Sequence, residues 1–131
     1  MVEQIFVNLP VKDLSLAMDF FKGLGFSFNA DFTDENAACL VLGEHIYAML
    51  LMEDFFKTFT PKKIAHDATE VLLAIQLPDR AAVDELIDKG VALGGKEVRE
   101  KQDQGWMYAR SLMDLDGHIW EVMFMNPMKK G

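Results

Sequence analysis

The sequence predicts an α+β protein. Two tandem βαβββ modules together form a curved mixed sheet around a concave cavity, with the helices outside. Three observations predict it. Two stretches of helical periodicity are each preceded by a short apolar strand and followed by three strand-like segments. A histidine-led strand occurs twice, as His45-Ile46-Tyr47-Ala48-Met49-Leu50 and His118-Ile119-Trp120-Glu121-Val122-Met123, an offset of 118 − 45 = 73. The acids that open the two helices, Asp13 and Asp79, are offset by 79 − 13 = 66, and longer loops in the second half absorb the difference. Such self-similarity marks a structural repeat. Each half has too few strands to bury both its faces alone. The 131 residues therefore read as one domain, with modules at about 4–52 and 70–126 and a linker at about 53–69.

Each element has a local cause. Residues 5–9 (IFVNL) are rich in strand formers, and Pro10 limits the run. Residues 13–24 place Leu14, Ala17, Met18, Phe21 and Leu24 at helical spacing. Asp13 serves as the N-cap, because its carboxylate can accept from the free N–H groups of the first turn. Gly23 and Gly25 are the stop signals. Strands follow at 26–32, 37–42 and 46–52, separated by Asp34-Glu35-Asn36 and Gly43-Glu44. The stretch 53–69, with Phe55, Phe56, Phe59 and Pro61, reads as a short helix and a linker. The order then repeats. A strand at 70–77 precedes a helix at 79–93, which turns Ala82, Val83, Leu86, Ile87 and Gly90 inward and ends at Gly94-Gly95. Strands at 96–101, 106–113 and 119–125 follow, and the tail 126–131 frays.

Composition narrows the function. The charge sum is 13 − 21 = −8. An acidic surface repels phosphate backbones and anionic headgroups, so nucleic acid and membranes are not expected partners. The single cysteine, Cys39, excludes an intrachain disulfide and any multi-cysteine metal site; its apolar neighbours suit a core residue in a reducing, cytoplasmic setting. Glu3 and Gln4 precede any apolar run, unlike a secretory signal, and no apolar stretch is long enough to span a bilayer. Nine Met and ten Phe point to an adaptable apolar interior or a pocket that repacks. There is no phosphate loop, no G-x-G-x-x-G and no nucleophile elbow. Asp114, Asp116 and Gly117 read as turn chemistry rather than a calcium loop.

Three passages carry a family resemblance. The first is Phe6-Val7-Asn8-Leu9-Pro10-Val11-Lys12-Asp13-Leu14, followed by Phe20-Phe21 and Leu24-Gly25-Phe26. The second is Gly94-Gly95 after the second helix. The third is Asp114-Leu115-Asp116-Gly117-His118-Ile119-Trp120-Glu121. In this order and spacing they resemble the vicinal oxygen chelate superfamily, which includes glyoxalase I, extradiol dioxygenases and bleomycin-resistance proteins. In its metal-using members the chelate comes from the first and last strands of each module. The resemblance puts those positions at Phe6, Ala48, Leu72 and Glu121. Three are hydrocarbon, and one carboxylate does not hold a catalytic metal, which needs about three protein ligands. No cofactor is expected, and a divalent metal is disfavoured. His45 and His118 sit beside turns and His66 lies in the linker, so none completes a metal site.

On the last strand Glu121 shares a face with Ile119, Met123 and Met125. The resemblance turns that face toward the cavity. A carboxylate there would be desolvated and its pKa raised, making Glu121 the catalytic candidate as a proton shuttle, or a ligand anchor. A tight turn at 114–117 would set Ser111 opposite Glu121 and put Arg110 on the other face; a one-residue bulge would turn Arg110 inward as an anion-binding residue. The candidate ligand-binding residues are Phe6, Asn8, Ala48, Leu72, Ser111, Glu121, Met123 and Arg110. The expectation is a metal-independent binder of a small apolar or aromatic metabolite, homodimeric as the resemblance implies. The alternatives are a glyoxalase-like lyase, isomerase or dioxygenase that uses Glu121 as base or as one metal ligand, and an interaction module with no ligand.

Overall fold

A computed structural model describes residues 1–126 and 128. The expected frayed tail at 126–131 lies outside the described residues, apart from Asn126 and Met128. The chain divides into two compact units, Met1–His66 and Asp67–Gly131.

In the first unit, β1 (Ile5–Val11) leads into α1 (Leu14–Gly23), followed by β2 (Ser27–Asn29), β3 (Ala37–Gly43) and β4 (Ile46–Met52). The sheet order is β1-β4-β3-β2, with β1 parallel to β4 and the other pairs antiparallel. β1 runs on through Pro10 because it is an outer strand, and a missing N–H is tolerated on the unpaired side. The Asp13 carboxylate accepts from the Leu16 N–H at 3.0 Å, capping α1, and Gly25 turns the chain away at φ 102°. α1 buries Leu14, Ala17, Phe20 and Phe21. Leu9, Val11, Ala38, Leu40, Ala48 and Leu50 form the buried face of the sheet; full burial of each leucine contributes about 2 kcal/mol. The expected strand at 26–32 is cut to three residues. The Asn29 side chain accepts from the Asp31 N–H and starts a 3₁₀ turn, Ala30–Phe32. After β4 the chain forms α2 (Glu53–Phe56) and a 3₁₀ turn, Lys57–Phe59. There Phe55 and Phe59 meet edge to face at 5.2 Å, and His66 Nε2 lies 3.1 Å from both Glu53 carboxylate oxygens.

The second unit repeats the topology. β5 (Leu72–Gln76) leads into α3 (Arg80–Ala92), then β6 (Lys96–Glu97), β7 (Gln102–Asp103), β8 (Met107–Met113) and β9 (Ile119–Met125). The order is β5-β9-β8-β6, with β7 also on β8 and β5 parallel to β9. Asp79 caps α3 through the Ala82 N–H at 2.8 Å. Val83, Leu86, Ile87 and Gly90 are its buried face. The turn 114–117 is held by one carboxylate: Asp114 accepts from the N–H groups of Asp116 and His118 and from Trp120 Nε1. Gly117 supplies the left-handed residue at φ 85°.

The expected strand at 96–101 is cut to β6, Lys96–Glu97; residues 98–101 loop out, and the chain rejoins the outer edge of β8 only at β7, Gln102–Asp103. The charged side chains along 97–103 have separate partners: Glu97 with Arg110, Arg99 with Glu121, Asp103 with Arg80. Arg110 is the hub of an ionic clamp between α3 and β8. Its guanidinium donates to Glu97 at 2.8 Å twice, to Asp84 at 2.8 Å and to Asp88 at 3.2 Å. The Tyr108 hydroxyl adds a bond to Asp84 at 2.6 Å, and Arg80 lies over the Tyr108 ring. Among the described residues, no helix is long and apolar enough to cross a membrane.

Candidate functional site

The sheet of the second unit has two unlike faces. Trp120 and Val122 of β9 and Tyr108 and Leu112 of β8 are buried on the side where α3 packs. The opposite face carries Ile119, Glu121, Met123 and Met125 of β9, paired across to Met113, Ser111, Ala109 and Met107 of β8. Leu72, Ala74 and Gln76 of β5 flank it, opposite Ile119, Glu121 and Met123. The face is thus a methionine-rich apolar surface with one acid near its middle.

That acid is paired. Arg99, from the loop between β6 and β7, reaches Glu121 with Nη2 at 2.6 Å from Oε2 and Nε at 3.4 Å from Oε1. The fully buried Ser111 hydroxyl donates to the same Oε2 at 2.6 Å. Glu121 keeps only 17% of its side-chain exposure and Arg99 36%. The third guanidinium nitrogen, Nη1, is buried and has no hydrogen-bond partner among the described residues. Burial pushes the Glu121 carboxyl up, but the hydrogen bonds from Arg99 and Ser111 and the Arg99 charge outweigh it and hold the pKa below its ordinary value. The expected rise is therefore corrected. A carboxylate held ionised by a guanidinium is a weak base and a good anchor.

The turn register, with Asp114 bonded to His118 and Ser111 opposite Glu121, puts Arg110 on the α3 side. The inward, anion-binding placement of Arg110 is corrected: three carboxylates already hold it. The structure brings Ser111, Glu121 and Met123 together, with Leu72 on the same face. In the first unit, Phe6 stacks on Tyr47 at 4.8 Å, and the exposed Asn8 sits opposite Met49. Ala48 is another correction. It is fully buried beside Leu50, on the face away from Phe6. The sequence repeat runs at 73, but the sheet register, Phe6 to Tyr47 and Leu72 to Ile119, runs at 119 − 47 = 72. One residue of slip exchanges the faces of a strand. Met49 takes the place assigned to Ala48.

Sequence reasoning missed Arg99. A signal was available: a carboxylate on an apolar face needs a cation, and the chain has three arginines, Arg80, Arg99 and Arg110. In the second unit Glu121 is committed to a guanidinium and Leu72 on the same face offers no donor, so that cluster does not fit a divalent ion; in the first unit Phe6 and Met49 offer no hard donor either. Among the described residues, no three His, Cys, Asp or Glu side chains converge as a metal site.

Comparison with known proteins agrees with this architecture. Residues 4–43 match the family model described as bleomycin resistance protein-like N-terminal. No curated protein matches. Solved structures do. The hypothetical protein SA1046 from S. aureus is 25% identical, with a TM-score of 0.81 over 95% of both chains. A glyoxalase-related enzyme from Fulvimarina pelagi is 21% identical, with a TM-score of 0.80 over 96% of this chain and 90% of that one. A glyoxalase/bleomycin resistance protein/dioxygenase family enzyme from Burkholderia phytofirmans PsJN is 15% identical, with a TM-score of 0.76 over 92% of this chain and 96% of that one. Motifs, topology and these likenesses agree: the chain has the fold of the solved glyoxalase- and bleomycin-resistance-related proteins, and residues 4–43 are similar to the bleomycin resistance protein-like N-terminal family.

Proposed function

We propose that this protein is a metal-independent binder of a small apolar or aromatic molecule, of the glyoxalase/bleomycin-resistance type. The observation that carries the reading is the Arg99–Glu121–Ser111 cluster set in a methionine-rich sheet face, with one guanidinium nitrogen uncommitted. Apolar lining with a few fixed polar groups is the usual make-up of a ligand site. Methionine side chains adapt to the shape of an apolar guest. Glu121 anchors in this reading and does not act as a base. The reading includes a cytoplasmic homodimer. The outer strands β1 and β5 leave Ile5, Phe6 and Leu72 exposed, which suits pairing with a second copy; equilibrium sedimentation checks it.

The test is a thermal-shift screen of the purified protein with aromatic and amphipathic small molecules, repeated after chelator treatment and accompanied by elemental analysis. A ligand at 100 times its Kd raises stability by about 2.7 kcal/mol. The expected result is a shift that survives the chelator and is lost in Arg99→Met. Stoichiometric metal whose removal abolishes the shift would overturn the reading.

A further inference from the structure

We propose that Glu121 Oε1 recognises a neutral hydrogen-bond donor on the guest, a phenolic O–H or an aromatic N–H, so that the site disfavours carboxylates although an arginine stands in it. This rests on the binding reading above and specifies what its polar anchor recognises.

The donors that face the carboxylate are committed to it. The single Ser111 hydroxyl proton goes to Glu121 Oε2 at 2.6 Å, and Arg99 Nη2 reaches the same oxygen at 2.6 Å. Arg99 pairs side-on, through Nε and Nη2. Its remaining nitrogen, Nη1, therefore stands on the far edge of the guanidinium from Glu121, and it is buried.

The acceptors are less fully used. Oε1 receives only the Arg99 Nε contact at 3.4 Å, long for an N–H···O bond. A carboxylate oxygen has two lone pairs, so Oε1 keeps acceptor capacity. The hydrogen bonds from Arg99 and Ser111 keep the carboxyl ionised at neutral pH. It is the one carboxylate on this face of β5, β9 and β8 among the described residues: Leu72, Ala74 and Gln76 flank it on one side, and Ala109, Ser111 and Met113 on the other. What this apolar surface offers a guest beside Met123 is an acceptor.

Desolvation makes the choice. Glu121 keeps 17% of its side-chain exposure, so Oε1 has water to lose when a guest lies over Met123. A guest O–H or N–H replaces that water. An ether in the same place strips a charged oxygen and gives nothing back, which is the costlier outcome. A guest carboxylate brings a second negative oxygen against Oε1, and the Arg99 charge that would offset it is already balanced by Glu121.

The experiment titrates 2-naphthol, its methyl ether 2-methoxynaphthalene, and 2-naphthoate into protein carrying ¹³C-methyl methionine. It is run at pH 7.5, where a phenol is neutral, and reads Kd together with the Met123 methyl shift. The wild type is expected to bind 2-naphthol at least tenfold more tightly than either of the others. Glu121→Gln should cut the preference over the ether below threefold and strengthen naphthoate binding, which a purely structural role for the carboxylate would not do. Ser111→Ala leaves Oε1 as it is and should keep the preference, so it serves as the second variant if Glu121→Gln fails to fold. Equal affinities for 2-naphthol and its ether, or tighter binding of naphthoate, overturn this inference and leave the binding reading standing. So does a preference that survives Glu121→Gln or is lost in Ser111→Ala. If none of the three probes binds or moves the Met123 signal, the binding reading fails as well.

Discussion

Replacing Arg110 with methionine keeps the apolar stem over β8 and removes the charge that holds four hydrogen bonds to Glu97, Asp84 and Asp88. Ion pairs at the surface are worth about 0.2–1 kcal/mol, whereas breaking a buried one costs about 3–5 kcal/mol. Arg110 lies between these limits. Its side chain is 14% exposed, and its partners range from 30% for Glu97 to 71% for Asp88. The expected loss at neutral pH is therefore about 2 kcal/mol. The clamp also predicts a pH dependence. The Tyr108 and Arg110 hydrogen bonds hold Asp84 below its ordinary pKa, and Arg110 does the same for Glu97. Carboxylates depressed in the folded state stabilise above their unfolded pKa, near pH 4, and lose that contribution as pH falls toward their folded values. The wild type should lose stability below about pH 4.5 more steeply than Arg110→Met, since the variant no longer depresses Glu97. Urea unfolding at pH 7, 5, 4 and 3, followed by tryptophan fluorescence, measures this directly. Both tryptophans, Trp106 and Trp120, belong to the second unit and report on the clamped part. A loss under 0.5 kcal/mol at pH 7, or identical pH slopes for the two proteins, would refute the reasoning.

Further outcomes test the packing and the turn. Gly90→Ala should destabilise by about 1–2 kcal/mol even though alanine is the better helix former, because the added Cβ would stand 2.4 Å from Cδ2 of the buried Leu112. Leu112→Val in the same chain should recover part of that loss in urea titrations, and a Gly90→Ala variant as stable as wild type would show that α3 can lift off β8. Asp114→Ala removes the acceptor shared by three donors and should cost about 2–3 kcal/mol with a change in Trp120 emission. Retention of full stability there would mean that Gly117 and the strands alone set the turn.

Local pattern made most of the architecture readable. Asp13 and Asp79 announced their helices because a side chain three residues from a free N–H caps it whatever the rest of the fold does. The strands at 37–43, 46–52, 107–113 and 119–125 could be read from short, mainly apolar runs between turn signals. The pairing of Ser111 with Glu121 followed from the turn at 114–117, since loop length sets hairpin register.

Tertiary structure decided the site. The partner of Glu121 is 22 residues away, on the loop 98–101 where a strand was expected. That choice among three arginines depends on which one the folded edge of β8 brings within reach, which no local pattern encodes. Arg110, one residue from Ser111, went to the opposite face because strand side chains alternate. Ala48 and Met49 exchanged roles through one residue of register between parallel strands, since Phe6 pairs with Tyr47 as Leu72 pairs with Ile119, one residue off the repeat in the chain. Short-range chemistry is written in neighbouring residues; the pairing of charges across a sheet is a property of the assembled fold.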